Sequence, residues 1–378
     1  MSPSMSPPMS PRSRAAADAA WMREALRLAA RARGRTAPNP MVGGVVVRGS
    51  QRIGSGYHAR LGGLHGEASA LRNARGRARG ATLYVNLEPC AHHGRQPPCV
   101  EAVLEAGVAR VVVGMRDPDP RTAGRSIRRL RAAGVQVTVG VEEAACRELN
   151  RGFRSRVERG RPFTTLKLAA SLDGRIATAS GDSRWITGAL ARGRVHGWRR
   201  GCDAVAVGSG TALADDPELT ARERGRVVHR PARVLVDSGL RVPAGARVFK
   251  SRGRALVLTT RAAPARAAAR LEAAGAELLR VRARRGRVDL PAGWQALGRA
   301  GVNDLLVEGG GGLAAALLRS GLVDQLRLFV APVLIGGDGR ELLESLGVRR
   351  LASAPRLELS SVSRVGDDLL LTASLSQW

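Results

Sequence analysis

The stretch LEPCAHHGRQPPC, residues 87–99, holds two of the chain's four cysteines and two of its six histidines, and His65 and Glu67 lie upstream in LHGEASALR. His-x-Glu followed by Pro-Cys and a second Cys is a set of side chains suited to hydrolysis at a metal. A catalytic zinc takes three protein ligands and keeps a fourth position for water. His65, Cys90 and Cys99 would supply the three. The metal brings the pKa of that water toward neutrality. Glu67, two residues from a ligand, is then placed to carry a proton from water to a leaving amine. Two other uses of the same residues stay open at this point. A disulfide between Cys90 and Cys99 would suit an oxidising compartment, and a closed structural zinc site would recruit His92 or His93 as a fourth ligand. Cys146 and Cys202 each stand alone on a patterned segment and are expected in the core.

Positioning those groups falls to an alternation of short apolar runs and helical patterns. MVGGVVV, ATLYVNLE, RVVVG and VQVTVGV read as strands, and GEASALRNA, CVEAVLEAG and SIRRLRAAG carry helical spacing. The pattern is α/β, a sheet covered by helices. His65 and Glu67 are expected just before a helix. Pro97 and Pro98 mark the start of another, with Cys99 in its first turn, where helix N–H groups favour a thiolate. A second series begins near residue 163 with FTTLKLAAS, DAVAVGSG, ARVLVD and RALVLTT, and continues through DLLVEGG and QLRLFVAPVLI to DLLLTASL. Between the two series, EEAACRELNRGFRSRVERGRP is expected as one charged helix ending at Gly160 and Pro162. The sequence therefore divides into a tail over 1–18 expected to be disordered, a first domain over 19–150 and a second over 151–378. In the second, DLLVEGGGGLAAALL gives strand, glycines and helix, an arrangement that offers backbone N–H groups to phosphate. It lacks the G-x-G-x-x-G spacing of a Rossmann fold.

Bulk properties narrow the function further. The formal charge is +29, but Lys167 and Lys250 are the only lysines, and the arginine excess is spread along the whole chain with no basic block. Aromatic residues make up 3% and offer few platforms for stacking bases. Nucleic acid is therefore not the expected partner, although a surface this basic suits a phosphorylated small molecule. No run approaches the roughly 20 apolar residues of a membrane span. The opening MSPSMSPPMSPRSRAAA has no apolar core of a secretory signal, and a reducing cytoplasm is the expected location.

His65-x-Glu67 followed by Pro89-Cys90 and Cys99 resembles the zinc-dependent base deaminases, except that eight residues separate the cysteines where those enzymes usually have two. With APNPMVGGVVV, RDPDPRTAGRSIRRLRAAGV, TLKLAASLDGRIATASGDSRWITG, GTALADDPELTAR and LLVEGGGGLAAALL, the chain from about residue 19 onward is similar to the bifunctional pyrimidine deaminase and reductase family of riboflavin biosynthesis. The resemblance implies a cytidine-deaminase-like three-layer domain followed by a dihydrofolate-reductase-like domain. It implies zinc on His65, Cys90 and Cys99, with Glu67 as proton shuttle. Asn39 would hold the pyrimidine edge, and His92, His93 and Arg95 would line the substrate mouth. In the second domain the resemblance puts NADPH at Ala169, Trp185, Thr211, Asp215 and Ser238, and along Gly310, Gly311, Gly312, Leu313, Ala314, Ala315 and Ala316. Substrate would meet Ser183, Arg199, Leu219, Arg222 and Glu308, with Lys167 and Asp215 flanking the reacting ribose. The implied chemistry removes an amino group from a diamino-pyrimidinone carrying ribose phosphate and then reduces the ribose to a ribityl chain. A nucleic-acid base deaminase with an accessory domain is the alternative, as is a metal-stabilised interaction module without turnover. The family pattern leaves room for a homo-oligomer.

Three positions depart from that pattern. Gly66 stands where Ala is usual, and is expected to loosen a helix start slightly. Asp119 replaces Asn, and Gly312 replaces Thr beside the cofactor phosphates, which removes a hydroxyl donor.

Overall fold

A computed structural model describes residues 10–94 and 96–375, and the chain divides into two compact units, Met1–Glu158 and Arg159–Trp378. The first is built on five strands, β1 (Gly43–Arg48), β2 (Gln51–Tyr57), β3 (Thr82–Leu87), β4 (Arg110–Met115) and β5 (Gln136–Val139), in the order β2-β1-β3-β4-β5. β1 runs antiparallel to β2 and β3, whereas β3, β4 and β5 are parallel. Parallel neighbours need a crossover. Here α3 (Cys99–Glu105) joins β3 to β4 and α4 (Arg125–Ala132) joins β4 to β5.

Helix α1 (Pro11–Ala30) and α2 (Gly66–Asn73) lie against β1. The glycines of MVGGVVV make this possible. A Cβ on Gly43 would run into Ala25 O and sit 2.9 Å from Ala29 N, and one on Gly44 would sit 2.9 Å from Gly66 O. The strand face is bare there so that helix backbones can approach it. Of the tail expected over 1–18, residues 1–9 lie outside the described residues, and the rest is helical. Ser10 caps α1 by accepting from the Ser13 N–H at 3.2 Å, and Pro11 occupies the first helical position. Asp18 is buried and receives both Arg110 guanidinium nitrogens, at 2.7 and 2.6 Å, plus the Tyr84 hydroxyl at 2.9 Å. A helix that neutralises a buried arginine belongs to the unit's core and not to a tail.

The charged segment after β5 forms two helices where one was expected, α5 (Glu143–Leu149) and α6 (Arg151–Arg159). Asn150 between them is spent on the chain near Met41. Its Oδ1 accepts from the Met41 N–H at 2.8 Å and its Nδ2 donates to Met41 O at 3.0 Å. Phe153 and Val157 on α6 pack into the first unit's core.

The second unit carries a nine-stranded sheet. Its strands in chain order are β6 (Phe163–Ser171), β7 (Ala204–Gly208), β8 (Ala232–Val236), β9 (Ala255–Thr260), β10 (Ala276–Val281), β11 (Asp304–Glu308), β12 (Gln325–Ala331), β13 (Leu357–Val365) and β14 (Asp368–Leu375). Their spatial order is β10-β9-β8-β7-β11-β6-β12-β14-β13. The first seven are parallel, and the β13–β14 hairpin closes one edge antiparallel. Cores form on both faces, as the continuous apolar runs of a parallel sheet require. Trp294, fully buried on α10 (Leu290–Arg299), the helix that follows α9 (Ala265–Ala273), donates its indole N–H to Thr164 Oγ1 at 2.8 Å. Helices α7 (Ala189–Gly201), α8 (Ser209–Asp215) and α11 (Gly311–Arg319) bring side chains to the strand ends.

Candidate active sites

In the first unit, His65 is the N-cap of α2 and Glu67 lies in its first turn, one step further into the helix than the sequence suggested. Cys90 follows β3, and Cys99 opens α3 directly after Pro98. The ligand atoms of His65, Cys90 and Cys99 all lie within 4.8 Å of one another, and among the described residues they are the group that could hold a metal ion. His65 Nδ1 is 3.2 Å from Cys99 Sγ and 3.6 Å from Cys90 Sγ. A tetrahedral zinc with ordinary bond lengths separates nitrogen from sulfur by about 3.6 Å. The donor set fits the ion in kind and in spacing.

Electrostatics agree. Hydrogen bonds from the Cys99 thiol, His65 and the Cys99 backbone N–H, the last at 3.2 Å, hold the Cys90 thiol well below the ordinary cysteine range, while its thiolate pushes the Cys99 thiol upward. A second thiolate beside the first forms only with a cation to hold both. Glu67 is buried, its Oε2 has no hydrogen-bond partner, and burial first, with Cys90 next, lifts its carboxyl to about 7. A carboxyl group that holds or releases a proton near neutrality, with one buried oxygen unspent, suits proton transfer to a ligand beside the metal. The cysteines are free, not bridged.

His92 lies with its Nδ1 3.1 Å from Thr122 Oγ1, and His93 is exposed. Neither joins the three-residue cluster. Arg95 lies outside the described residues. Asn39 Nδ2 is 3.2 Å from His58 Nε2, and the His58 Nδ1–H donates to Leu64 O at 3.0 Å. His58 also packs edge-on against His65, with ring centroids 5.2 Å apart. Sequence reasoning missed this histidine, which stands alone in GYHAR with no patterned neighbour. It also missed Glu88, inside LEPC itself. The buried Glu88 carboxylate accepts backbone N–H bonds from Gly124 at 2.9 Å and Asp117 at 3.3 Å, and so fixes the loop that follows β4. Asp119 pairs with Arg121 at 2.6 Å, which holds its carboxyl below the usual range, so the acidic residue is neutralised where the pattern has Asn. Gly66 does more than loosen a helix start, because a Cβ there would lie 2.6 Å from Val42 O.

In the second unit the strand ends open into a cavity of about 1480 Å³. Lys167 and Glu308 are cross-strand partners on β6 and β11 at its floor. Arg199 from α7 grips Glu308 with two parallel bonds, Nε to Oε1 at 2.7 Å and Nη2 to Oε2 at 2.8 Å. Burial opposes the charge on Glu308, but Arg199 and then Lys167 outweigh it and its carboxyl falls below the ordinary range. Burial, followed by Arg199, lowers the Lys167 ammonium, with Glu308 opposing. The family pattern's Ala169, Ser183, Thr211, Asp215, Leu219 and Ser238 also line this cavity. So do Gly310, Gly311, Gly312, Leu313 and Ala316 at the start of α11. Thr211 Oγ1 accepts the Gly310 N–H at 3.2 Å and so ties the glycine turn to α8. Nicotinamide dinucleotide phosphates need such a glycine-lined helix start beside a large cleft.

Four implied positions stand elsewhere. Ala314 and Ala315 are fully buried on the core side of α11. Trp185 is exposed and lies under the Arg192 guanidinium, 4.4 Å from its ring centroid. Arg222 is held outside the cavity by an ion pair with Glu218 and a bond to Gly225 O at 2.9 Å.

Residues 15–115 match the cytidine and deoxycytidylate deaminase zinc-binding region, and residues 162–371 match the RibD C-terminal domain. The chain is 42% identical over 365 residues to the riboflavin biosynthesis protein RibD of Escherichia coli K12, covering 94% of this chain and 98% of that one. It is 42% identical over 360 residues to the RibD of Synechocystis, covering 95% and 96%. Among solved structures, Acinetobacter baumannii RibD aligns with a TM-score of 0.87 at 37% identity, covering 96% of this chain and all of that one. A deaminase/reductase from Thermotoga maritima aligns with a TM-score of 0.83 at 33% identity, covering 96% and 100%. With a zinc-binding deaminase region, an NADPH-using reductase region and relatives matched end to end, the chain belongs to the RibD family of bifunctional deaminase and reductase enzymes of riboflavin biosynthesis.

Proposed function

We propose that the first unit deaminates 2,5-diamino-6-(ribosylamino)pyrimidin-4-one 5'-phosphate and that the second reduces the ribose of the product to a ribityl chain. The observation that carries the reading is the convergence of His65, Cys90 and Cys99 beside the unspent buried Oε2 of Glu67. Bound zinc polarises water. Glu67 would carry the protons of that water, one to the departing amino nitrogen and one to the adjacent ring nitrogen, so that the C–N bond could break with formation of a carbonyl and release of ammonia. Asn39, whose amide meets His58, is assigned to the pyrimidine edge and His92 to the entrance.

In the second unit NADPH supplies hydride. Ring opening leaves a ribose oxygen that must gain a proton, and we assign Lys167 and Asp215 to that end of the cavity. Arg199 and Glu308 fix each other and offer a polar floor to the substrate. Ser183 and Leu219 are assigned to substrate, and Ala169, Thr211, Ser238, Gly310, Gly311, Gly312, Leu313 and Ala316 to cofactor, whereas Trp185, Arg222, Ala314 and Ala315, which stand away from the cavity, are given no ligand. We place the enzyme in the cytoplasm, where free thiols persist, and assign it no nucleic-acid partner. Among the described residues no helix is long and apolar enough to cross a membrane. Self-association through the second unit is proposed from its exposed edge.

The test follows ammonia release and NADPH oxidation separately with the diamino substrate. Protein that releases ammonia but never consumes NADPH, even when the deaminated intermediate is supplied, would remove the reductase assignment.

A further inference from the structure

The glycine at 312, unexpected beside cofactor phosphates, has a partner in space. Residues 340–346 run past the start of α11. Leu342 donates its N–H to Gly174 O at 3.1 Å and Glu344 donates its own to Gly311 O at 3.4 Å, while Leu342, Leu343 and Leu346 pack on the core. This seats the backbone so closely that a Cβ on Gly311 would lie 3.0 Å from Leu342 O. The Glu344 side chain then reaches Gly312. A Cβ on Gly312 would lie 2.7 Å from Glu344 Oε1 and 3.1 Å from its Cδ. Gly312 and Glu344 both line the reductase cavity.

A helix start attracts anions through its orphan N–H groups and its dipole. In this chain a carboxylate already stands beside that start, in the volume a side chain at 312 would fill. We infer that Glu344 is a determinant of cofactor affinity: its carboxylate competes with the dinucleotide's phosphates at the start of α11 and keeps NADPH and NADP exchangeable. The inference rests on the proposed placement of the cofactor along Gly310 to Ala316. Like charges repel there until Glu344 swings away, and an exposed, flexible side chain does so at modest cost. Both the reduced and the oxidised cofactor carry the same diphosphate, so the effect falls on release as much as on entry.

The test is calorimetric titration of the full chain with NADPH. Glu344→Gln should bind about 5- to 10-fold more tightly than wild type. Gly312→Ala, whose new Cβ would push the carboxylate aside, should also tighten binding. The double variant should gain no more than the better single one, because both changes remove the same interaction. The advantage of Glu344→Gln should shrink as salt rises from about 50 mM to about 500 mM. Gly310→Val reports on the placement itself, since a Cβ there has only Thr211 Oγ1 nearby, at 3.7 Å, and the rest of the side chain would enter the cavity. If Gly310→Val loses NADPH while Glu344→Gln binds no tighter than wild type, the inference fails and the placement stands. If Gly310→Val binds NADPH normally, the placement fails and takes the inference with it. Fully additive gains in the double variant would also overturn it.

Discussion

A single buried oxygen separates the roles of the four residues at the zinc site. His65, Cys90 and Cys99 face one another, whereas Glu67 keeps Oε2 unspent. Glu67→Gln should therefore retain one zinc per chain and lose ammonia release by on the order of 100-fold or more. Consumption of NADPH with supplied deaminated intermediate should be untouched, and equal loss of both activities would argue for one shared site. Metal analysis checks the ligands: zinc lost in His93→Ala but kept in His65→Ala would reverse the assignment. At the other site Lys167 is one of two lysines in a chain otherwise rich in arginine. An ammonium is a compact donor whose pKa moves on burial, which a guanidinium is not. Burial sets Lys167 below the ordinary lysine range, so its cationic form is lost earlier as pH rises. If that form is needed, reductase kcat/KM should fall on the alkaline side through the lowered pKa, and the alkaline limb should move up in Lys167→Arg. Lys167→Ala should lower turnover more than it weakens NADPH binding. An alkaline limb unmoved by Lys167→Arg would assign the titration to another group.

At the scale of elements, the order of strands and helices around both sites is legible in the sequence, because apolar period and Gly or Pro punctuation are local signals. The helix start at Pro98 and the strand–glycine–helix run at Asp304–Arg319 are read from a few adjacent letters. What is not legible depends on distant partners. Asn150 breaks a helix because Met41, far away in sequence, uses its side chain. Asp18 turns an expected tail into core through Arg110. Glu344 meets Gly312 only after two segments fold side by side. The glycines of β1 carry the same lesson as a prediction. Gly43→Ala forces α1 off the sheet at Ala25 and Ala29 and should destabilise the first unit by about 1–3 kcal/mol, the usual cost of overpacking. Thermal unfolding of the zinc-loaded protein measures it. A melting temperature equal to wild type would mean that α1 can retreat freely.

Over the whole molecule the charge of +29 says little about a nucleic-acid groove, since the arginines are dispersed and many are spent on carboxylates or carbonyls. Arg233 illustrates this, being fully buried with its guanidinium shared among the carbonyls of Val248, Ser251, Arg252 and Gly253. A more informative surface is the free edge of the nine-stranded sheet. Among the described residues β13 pairs only with β14, and all but its last residue are exposed. A register shift between Leu359 and Ser361 changes the parity of the strand. Leu357, Leu359 and Val362 therefore pair with Leu375, Ala373 and Leu371, alternate residues of β14, and so fall on one face. Their exposures are 45%, 58% and 58%. An edge strand that leaves an apolar face open invites pairing with another chain. A second copy of the same hairpin would cover it by two-fold symmetry. Sedimentation should therefore find wild-type protein as a dimer or a larger closed assembly. Leu359→Lys combined with Val362→Lys places two charges on that face and should shift the population to monomer, while zinc content and ammonia release stay at wild-type levels. Wild-type protein that sediments as a monomer at all accessible concentrations would leave this edge with another occupant or none.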